Sequence, residues 1–391
     1  MHVLILPSWY PTDSLPVQGI FCQDQAQALS RVGVKVGVVY PDLSSIRNFS
    51  FAQLKGRHFQ TVFVEEVGVT TLRLHGWEIP FTRGRFKVNQ TLRLVDSYVC
   101  KFGKPDLIHA QCTLWAGVAA MVAAKRYGVP FLITEHSSAF LRQRIKPWQV
   151  KRLRAALYGA NRVLAVSRVL AEQMIRQVGD PGLHVEVVPN MINTDFFMHP
   201  PKPRRSRPFR ILSVALLTPN KGMDILLRAF AQGFGSLQDV FLEIGGDGPH
   251  REELMELASC LGVGHRVRFS GMLSRDQVRE AMWNANLFVC SSYKETFGLV
   301  LLEAIATGLP IVTTKCGGPE EFVQSCNGLL TNPGDINGLE AAMLKVFNDY
   351  EYYTECSGGK PDSQTALRFS RAVVLDKLLM QYREVLQPNM A

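Results

Sequence analysis

Two glutamates, Glu295 and Glu303, stand eight residues apart in the segment SSYKETFGLVLLEAIATGLPIVTT (291–314). The pattern predicts a strand ending at Ser292, a loop carrying Glu295, and a helix that starts near Phe297–Gly298 and bears Glu303. The free amides and the dipole at such a helix N-terminus favour an anion, most obviously a phosphate. A carboxylate beside a phosphate is repelled unless it accepts hydrogen bonds from neutral hydroxyls, which a sugar and a ribose supply. Taken alone, Glu295 could be an N-cap neighbour and Glu303 a solvated helix residue. The apolar run LVLLEAIA around Glu303 argues against the second reading.

The elements that must position these residues recur along nearly the whole chain. Strand candidates in the first half are HVLILP (2–7), VKVGVVYP (34–41), DLIHAQ (106–111), PFLITEH (130–136), RVLAVS (162–167) and VEVVPN (185–190). Helical patterns lie between them, over Gln23–Arg31, Thr113–Tyr127 and Val169–Val178. Continuous apolar strands fit parallel sheets buried on both faces, and the strand–helix alternation predicts a doubly wound α/β domain. The stretch 49–82 is less regular, Val/Thr-rich, and reads as a β excursion on that domain. HPPKPRRSRP (199–208) then breaks the pattern. Alternation restarts with strands at 210–215, 240–246, 267–271, 287–292, 310–314 and 328–333. The expected domains are 1–198, a basic proline-rich linker 199–210, 211–365, and a closing helix over 366–391 that can cross back to the first domain. Two such sheets would face a cleft, with ligands outside the carboxyl ends of the strands.

Composition narrows the function classes. The chain has 391 residues, 47% apolar and 20% charged, with net charge +9. That excludes a disordered chain, and a mean hydropathy of +0.03 excludes a polytopic membrane protein. The charge is uneven: 1–198 carries a net +10 and 211–391 a net −6. Such asymmetry suggests an anionic partner on one side only. The eight cysteines include no CxxC pair, which argues against a zinc ribbon or a thioredoxin-type site. Several lie in apolar runs and read as small buried hydrophobes. MHVLILPSWYP has neither a basic n-region nor the apolar length of a signal peptide. A cytoplasmic protein is expected, peripheral on the inner face of the cytoplasmic membrane if it meets a membrane at all.

Glu295-x7-Glu303, within KETFGLVLLEAIATGLPIV, resembles the signature of the retaining nucleotide-sugar glycosyltransferases of family 4, which have the two-domain GT-B fold. PNMINTDFF (189–197), Lys221-Gly222, GGDGP (245–249), VRFSG (267–271) and GGPEE (317–321) follow in the order that the family shows. The resemblance implies that Glu295 accepts hydrogen bonds from the donor sugar and that Glu303 binds the ribose hydroxyls. Amides around Thr296, Phe297, Gly298 and Leu299 would cradle the diphosphate, and Lys221 would neutralise it as it leaves. Met272 and Leu273 lie where the family holds the nucleobase. In the first domain His136, closing TEH, matches the histidine that faces the donor sugar, and Gly19 matches a glycine near donor phosphate and acceptor. The chain departs from the family at Leu216, where R-x4-K-G has an arginine; a bidentate guanidinium contact is not one that lysine replaces. Lys294 is a candidate substitute.

The implied activity is that of a retaining hexosyltransferase acting on a nucleotide diphosphate sugar, with a UDP-sugar, UDP-glucose for instance, as the expected donor. The acceptor would be a glycan or a lipid-linked saccharide of cell-surface polysaccharide assembly. Helix amides and Lys221 would stabilise the leaving diphosphate, so no metal or cofactor is expected. No DxD and no ligand-spaced His/carboxylate cluster is found. LRQRIKPWQVKRLRAALY (141–158) interleaves cations with apolar residues and reads either as an interfacial helix for an anionic leaflet or as a solvated face. Trp9 and Tyr10, in the long loop after the first strand, fit acceptor contacts or buried packing. A nucleotide-sugar epimerase of the same fold is the alternative. An NAD(P) oxidoreductase is disfavoured because GGDGPH (245–250) fails G-x-G-x-x-G. A nucleic-acid module is disfavoured for want of a reader motif.

Overall fold

The alternating apolar runs become two separate sheets in a computed structural model of the chain, which describes residues 1–12, 15–45, 58–198, 200, 207–356 and 363–387. The first sheet contains β1 (His2–Pro7), β2 (Lys35–Ser45), β3 (Thr61–Glu66), β4 (Val69–Glu78), β5 (Leu107–Gln111), β6 (Phe131–Glu135), β7 (Arg162–Ala165) and β8 (Glu186–Val187). Its order is β3-β4-β2-β1-β5-β6-β7-β8, parallel throughout except for the β3–β4 hairpin at one edge. Every residue of β1, β5 and β6 is buried, so these strands could show no in–out alternation in the sequence. The hairpin accounts for the described part of the irregular stretch; 49–57 lies outside the described residues.

The second sheet contains β9 (Phe209–Val214), β10 (Val240–Gly245), β11 (Val267–Gly271), β12 (Leu287–Cys290), β13 (Ile311–Thr314) and β14 (Gly328–Thr331). Its order is β11-β10-β9-β12-β13-β14, all parallel. Phe209, Ile211, Leu242, Ile244, Leu287, Val289 and Val312 form its core with Leu226, Phe230 and Phe234 from the helix Met223–Phe234. Strand order reverses beside β1 in the first sheet and beside β9 in the second. The loops leaving the strands there emerge side by side at the carboxyl edge, the usual place of ligand sites in such sheets.

The chain forms two compact units, Met1–Met191 with the segment from Val374 onward, and Ile192–Val373. The boundary falls before 198 because the segment after Met191 is anchored in the second unit. Phe196 lies 4.2 Å from the Arg279 guanidinium, Phe197 is fully buried, and the Trp283 indole donates to the Met198 carbonyl at 2.8 Å. The expected linker is also shorter, since Phe209 and Arg210 already belong to β9; residues 199 and 201–206 lie outside the described set.

Two helices differ from expectation. The closing segment is a short helix, Ser363–Leu367, and then Arg371–Leu386. Val374, Leu378 and Tyr382 of the latter join Val3, Ile5, Leu107, Leu132 and Leu164 in the core of the first unit. Each such side chain contributes on the order of 1.5–3 kcal/mol on burial. The segment expected as one helix over 113–127 begins as a wide turn, Thr113–Gly117, with non-helical dihedrals at Leu114 and Trp115, and becomes α-helical only at Val118.

Tyr382 also carries a polar contact into that core, its hydroxyl lying 2.7 Å from Nδ1 of the fully buried His109, whose Nε2 meets Thr134 Oγ1 at 2.7 Å. Tyr382→Phe keeps the apolar packing and strips one partner from a buried imidazole. It is expected to cost about 1–3 kcal/mol, read as a lower urea midpoint; an unchanged midpoint would show that the hydroxyl does not hold the helix.

Candidate functional site

In the second unit the two loops at the strand-order reversal meet. The loop after β9 ends in the turn Pro219–Lys221, and the loop after β12 carries Ser291–Gly298. Gly222, at φ +59, lies against the second loop: a Cβ there would stand 2.3 Å from the Ser291 carbonyl oxygen. The loops are also tied by Ser291 Oγ donating to the Lys221 carbonyl (2.9 Å), Tyr293 N–H to the Asn220 carbonyl (2.8 Å) and Asn220 Nδ2 to the Lys294 carbonyl (2.9 Å).

This clamp brings Lys221 Nζ to 2.5 Å from Glu295 Oε1, with both side chains mostly buried. Burial opposes the ammonium charge, but the Glu295 carboxylate outweighs it and holds Lys221 above the ordinary lysine range. Ser292 Oγ donates to the same carboxylate oxygen at 2.7 Å, and the Thr314 hydroxyl donates to the Ser292 carbonyl. The Glu295 backbone is pinned to the loop after β13, its N–H donating to the Cys316 carbonyl (2.9 Å) and its carbonyl accepting from Gly318 N–H (3.0 Å). The carboxylate therefore sits on an extended, paired backbone and not on a free loop.

The helix Leu299–Ala306 starts beside this pair, with Gly298 as its N-cap at φ 91. Its first amides have no partner within the helix. The Phe297 ring is buried against Phe322 and Phe369, so Phe297 can offer a ligand its backbone alone. Thr296, Leu299 and Glu303 are half-buried. At the far side of the sheet, Met272 is 41% exposed, while the Leu273 side chain packs against Gly245 at the end of β10. Leu216 is 53% exposed and brings no charge; Lys294, the other cation of this region, is exposed. Among the described residues no group of three or more His, Cys, Asp or Glu side chains is placed to hold a metal ion.

In the first unit, His136 directly follows β6 and is buried. Gln111 Nε2 donates to Gln25 Oε1, leaving Gln111 Oε1 to accept from His136 Nε2 at 2.5 Å. The Phe21 ring lies 4.5 Å from the imidazole, centroid to centroid. Burial pushes the His136 pKa down to about 3, against the opposing effect of the Asn190 side chain. Glu135 orders the turn: its carboxylate accepts from the amides of Thr113 (2.8 Å), His136 (3.0 Å) and Ser137 (2.7 Å). Gly19, at φ +73, is the N-cap of the helix Ile20–Arg31, and a Cβ there would stand 2.3 Å from the Trp9 carbonyl oxygen. Tyr10 is a core residue, buried beneath the Arg73 guanidinium; the acceptor reading of its side chain is corrected to packing. Trp9 is half-buried.

The basic segment 141–158 is helical only from Pro147. Of its apolar members, Leu141, Leu153, Ala156 and Leu157 are buried within the unit, Ile145, Trp148 and Val150 are half-buried, and Tyr158 is 53% exposed. Arg152 donates to the Arg83 carbonyl (2.6 Å) and Arg154 to the Val178 carbonyl (2.8 Å), while Arg144, Lys146 and Lys151 remain exposed. Among the described residues no helix is long and apolar enough to cross a membrane.

Ser292, Gln111 and Glu135 escaped the sequence reading. A polar residue closing an apolar strand was their only signal, and many strand ends share it. Among the described residues, Cys22, Cys112, Cys290 and Cys316 are buried, small hydrophobes without a disulfide, as expected, whereas Cys100 and Cys260 are exposed.

Comparison with known proteins defines the class. The family model of the Glycosyltransferase Family 4 matches residues 18–196, and that of the Glycosyl transferases group 1 matches 195–360. The chain belongs to this glycosyltransferase family and has its GT-B fold. TuaC of Bacillus subtilis (strain 168), described as a teichuronic acid biosynthesis glycosyltransferase, is 27% identical over 363 residues, 88% of this chain and 89% of that protein. The sucrose-phosphate synthase of Thermosynechococcus elongatus matches the whole of both chains at TM-score 0.81 and 21% identity. HepE of Anabaena, solved with UDP-glucose, matches 98% of this chain and 100% of its own at TM-score 0.74 and 22% identity.

His109 and His136 make the first unit sensitive to acid. Burial, and for His109 also its neighbour His136, lowers both imidazoles to about 3; in the unfolded chain they titrate near about 6.5. Between those values the unfolded state binds the extra protons. Stability is therefore complete above about pH 6.5 and falls as the pH drops toward 3, by up to about 1.4 kcal/mol per pH unit for each histidine. Urea midpoints at pH 7.0, 5.5 and 4.5 should show this, with a shallower dependence in His109→Gln; the same slope in that variant would remove His109 from the account.

Proposed function

We propose that the chain transfers a hexose, with retention of configuration, from a UDP-sugar to a glycan or lipid-linked acceptor of cell-surface polysaccharide assembly. UDP-glucose is the donor that we favour. The observation that carries this reading is the Lys221–Glu295 contact at 2.5 Å beside an open helix N-terminus, at the strand-order reversal of the second unit. One side of that point is positive, from Lys221 and the first amides of the helix at Leu299, and suits a diphosphate. The other side is a carboxylate whose free oxygen can accept from sugar hydroxyls.

As the sugar–phosphate bond lengthens, charge builds on the diphosphate and the anomeric carbon becomes oxocarbenium-like. Lys221 and the amides around Thr296–Leu299 stabilise the first change in place, without reorganisation. Glu303, one face further along the helix, takes the ribose hydroxyls, and Met272 and Leu273 offer backbone to the base. His136 stays neutral at physiological pH, with its Nε2–H donated to Gln111, so Nδ1 holds a lone pair suited to a sugar hydroxyl. Gly19 lets the start of the helix Ile20–Arg31 pack closely on the Trp9 carbonyl. The positive charge comes from the chain itself, and the reading includes no metal or cofactor. The two glutamates bind hydroxyls of different rings and are not the acid/nucleophile pair of retaining hydrolases. The UDP-glucose complex of HepE supports the choice of donor, and the description of TuaC as a teichuronic acid biosynthesis glycosyltransferase supports a polysaccharide product.

A lipid-linked acceptor would bring the protein to an anionic leaflet. With Leu153, Ala156 and Leu157 of 147–159 buried, that contact would be chiefly electrostatic, through Arg144 and Lys151, each worth about 1 kcal/mol near the surface. Flotation with phosphatidylglycerol vesicles should show binding that disappears at high salt, and no binding at low salt would exclude the membrane contact.

Saturation-transfer NMR with UDP-, GDP- and ADP-glucose should show UDP-glucose bound. Glu295→Ala should lower transfer on the order of 10²-fold or more while circular dichroism stays unchanged. Binding of none of the three, or wild-type transfer by that variant, would overturn the assignment.

A further inference from the structure

The first unit carries a second constellation that the donor chemistry leaves unused. A cavity of about 340 Å³ opens at the carboxyl ends of β4 and β5, lined by Glu78, Arg83, Trp115, Lys146, Trp148 and Gln149 among others. Glu78 is the last residue of β4, and Trp115 belongs to the wide turn that follows β5. The volume, at the lower end for ligand sites, suits one or two sugar rings.

Its walls are aromatic and cationic. The indoles of Trp115 and Trp148 stack at 6.1 Å and 30°. The Arg83 guanidinium lies 5.6 Å from the Trp148 ring, and that of Arg152 lies 5.8 Å and 5.7 Å from the Trp115 and Trp148 rings. Arg152 also donates to the Arg83 carbonyl at 2.6 Å, which holds the Arg83 backbone in place. Gly84 forms a seat for the Trp115 indole, since a Cβ there would stand 2.4 Å from the ring.

Two features set this cluster apart from an ordinary basic surface. Three arginines elsewhere in the unit are matched by acids, in Arg73–Glu66, Arg126–Asp96 and Arg162–Glu186, and isolated exposed cations such as Arg144 lack the aromatic support found here. Among the described residues, Arg83, Lys146 and Arg152 have no carboxylate within ion-pair distance. Three non-glycine residues of the cavity wall, Phe81 (φ 64), Arg83 (φ 49) and Trp115 (φ 66), also adopt left-handed backbone conformations. Such strain persists only where the surroundings enforce it, and it gathers at binding sites.

Unmatched guanidinium and ammonium groups call for an anion, and a planar guanidinium fork suits a carboxylate or a phosphate. Indoles present apolar surface to the C–H faces of a sugar. Glu78 adds acceptors for hydroxyls, and Gln149, whose Oε1 already accepts from the Lys146 N–H at 2.8 Å, adds an amide donor. We propose that this cavity binds an acidic saccharide, a pyranose bearing a carboxylate or a phosphate, as part of the acceptor. The inference rests on the acceptor side of the function proposed above; it names the chemistry of that acceptor and the residues that select it.

The test is saturation-transfer NMR on the full chain with glucuronate, glucose 6-phosphate and glucose, in the presence of excess UDP to occupy the donor site. Glucuronate or glucose 6-phosphate should bind with affinity that falls with salt, about tenfold or more tighter than glucose, and the two acids identify which anion is preferred. The double variant Arg83→Gln/Lys146→Gln, altered at exposed side chains, should lose about tenfold in that affinity. Trp148→Ala should lose the saccharide signal. Equal binding of glucose, or wild-type binding by the double variant, would overturn the proposal. So would binding of phosphatidylglycerol vesicles through Arg83 and Lys146 with no saccharide bound, which would make the cluster a membrane contact. A separate UDP titration distinguishes the readings: failure to bind UDP removes the donor assignment, and failure to bind either acid removes this one.

Discussion

The contact between Lys221 and Glu295 is the constraint around which the second unit is arranged. A mostly buried ammonium and a carboxylate at 2.5 Å are stable only if their remaining polar capacity is met, because desolvation of each ion is costly. Ser292 supplies one hydrogen bond to the carboxylate. The loops bearing the pair are then fixed to one another and to the loop after β13, so neither charge can drift. Such fixation is what electrostatic catalysis requires, since charges already held in place need not reorganise as a leaving group develops its own. The carboxylate on extended backbone and the lysine closing a turn come this close where strand order reverses and the two loops emerge side by side.

The first unit solves a related problem with neutral groups. Tyr382, His109, Thr134, Gln111, Gln25 and His136 form a buried polar chain that runs from the closing helix to the end of β6. Burial keeps both imidazoles uncharged, so the chain costs far less than buried ions would, and each partner fixes the orientation of the next. The return of the closing helix to this unit is thus more than apolar packing, because it ends one side of that chain. Glu135 is the exception, a buried carboxylate without a cation. It is tolerated because three backbone amides converge on it, and in converging they set the turn that presents His136.

Much of the architecture was legible in the sequence because parallel strands buried on both faces are written as short, continuous β-branched runs. Of the strand candidates, those at 2–7 and 267–271 coincide with β1 and β11, and the others differ by a few residues at their ends. The loops were less legible. Thr113–Gly117 reads as helix by composition, whereas the Trp115 indole packed on Gly84 and the hydrogen bond donated by the Thr113 N–H to the Glu135 carboxylate hold it as a wider turn. The unit boundary at Met191 depends on Phe196, Phe197 and Trp283, which meet across about ninety residues of sequence. Glu295 and Lys221 were visible as types at a spacing; Ser292 and Gln111, which orient Glu295 and His136, became visible only through their distances.

The uneven charge acquires a physical meaning from these placements. The segment 211–391 is net negative, yet it contains the proposed diphosphate site. Regional charge is a poor guide to such a site, because one lysine and a few helix amides act within a few ångströms while distant carboxylates are screened. The positive excess of 1–198 behaves differently. Part of it is neutralised in place by Glu66, Asp96 and Glu186. Part is spent on main-chain carbonyls, as at Arg154. Another part, Arg83, Lys146 and Arg152, gathers around two indoles, where strained backbone holds it at the carboxyl edge of the sheet. A charge held in this way costs stability through self-repulsion and strain. Solubility alone would need neither the aromatic support nor the strained backbone, and a fixed cluster of this kind is better explained by a bound anion than by a general need for positive surface.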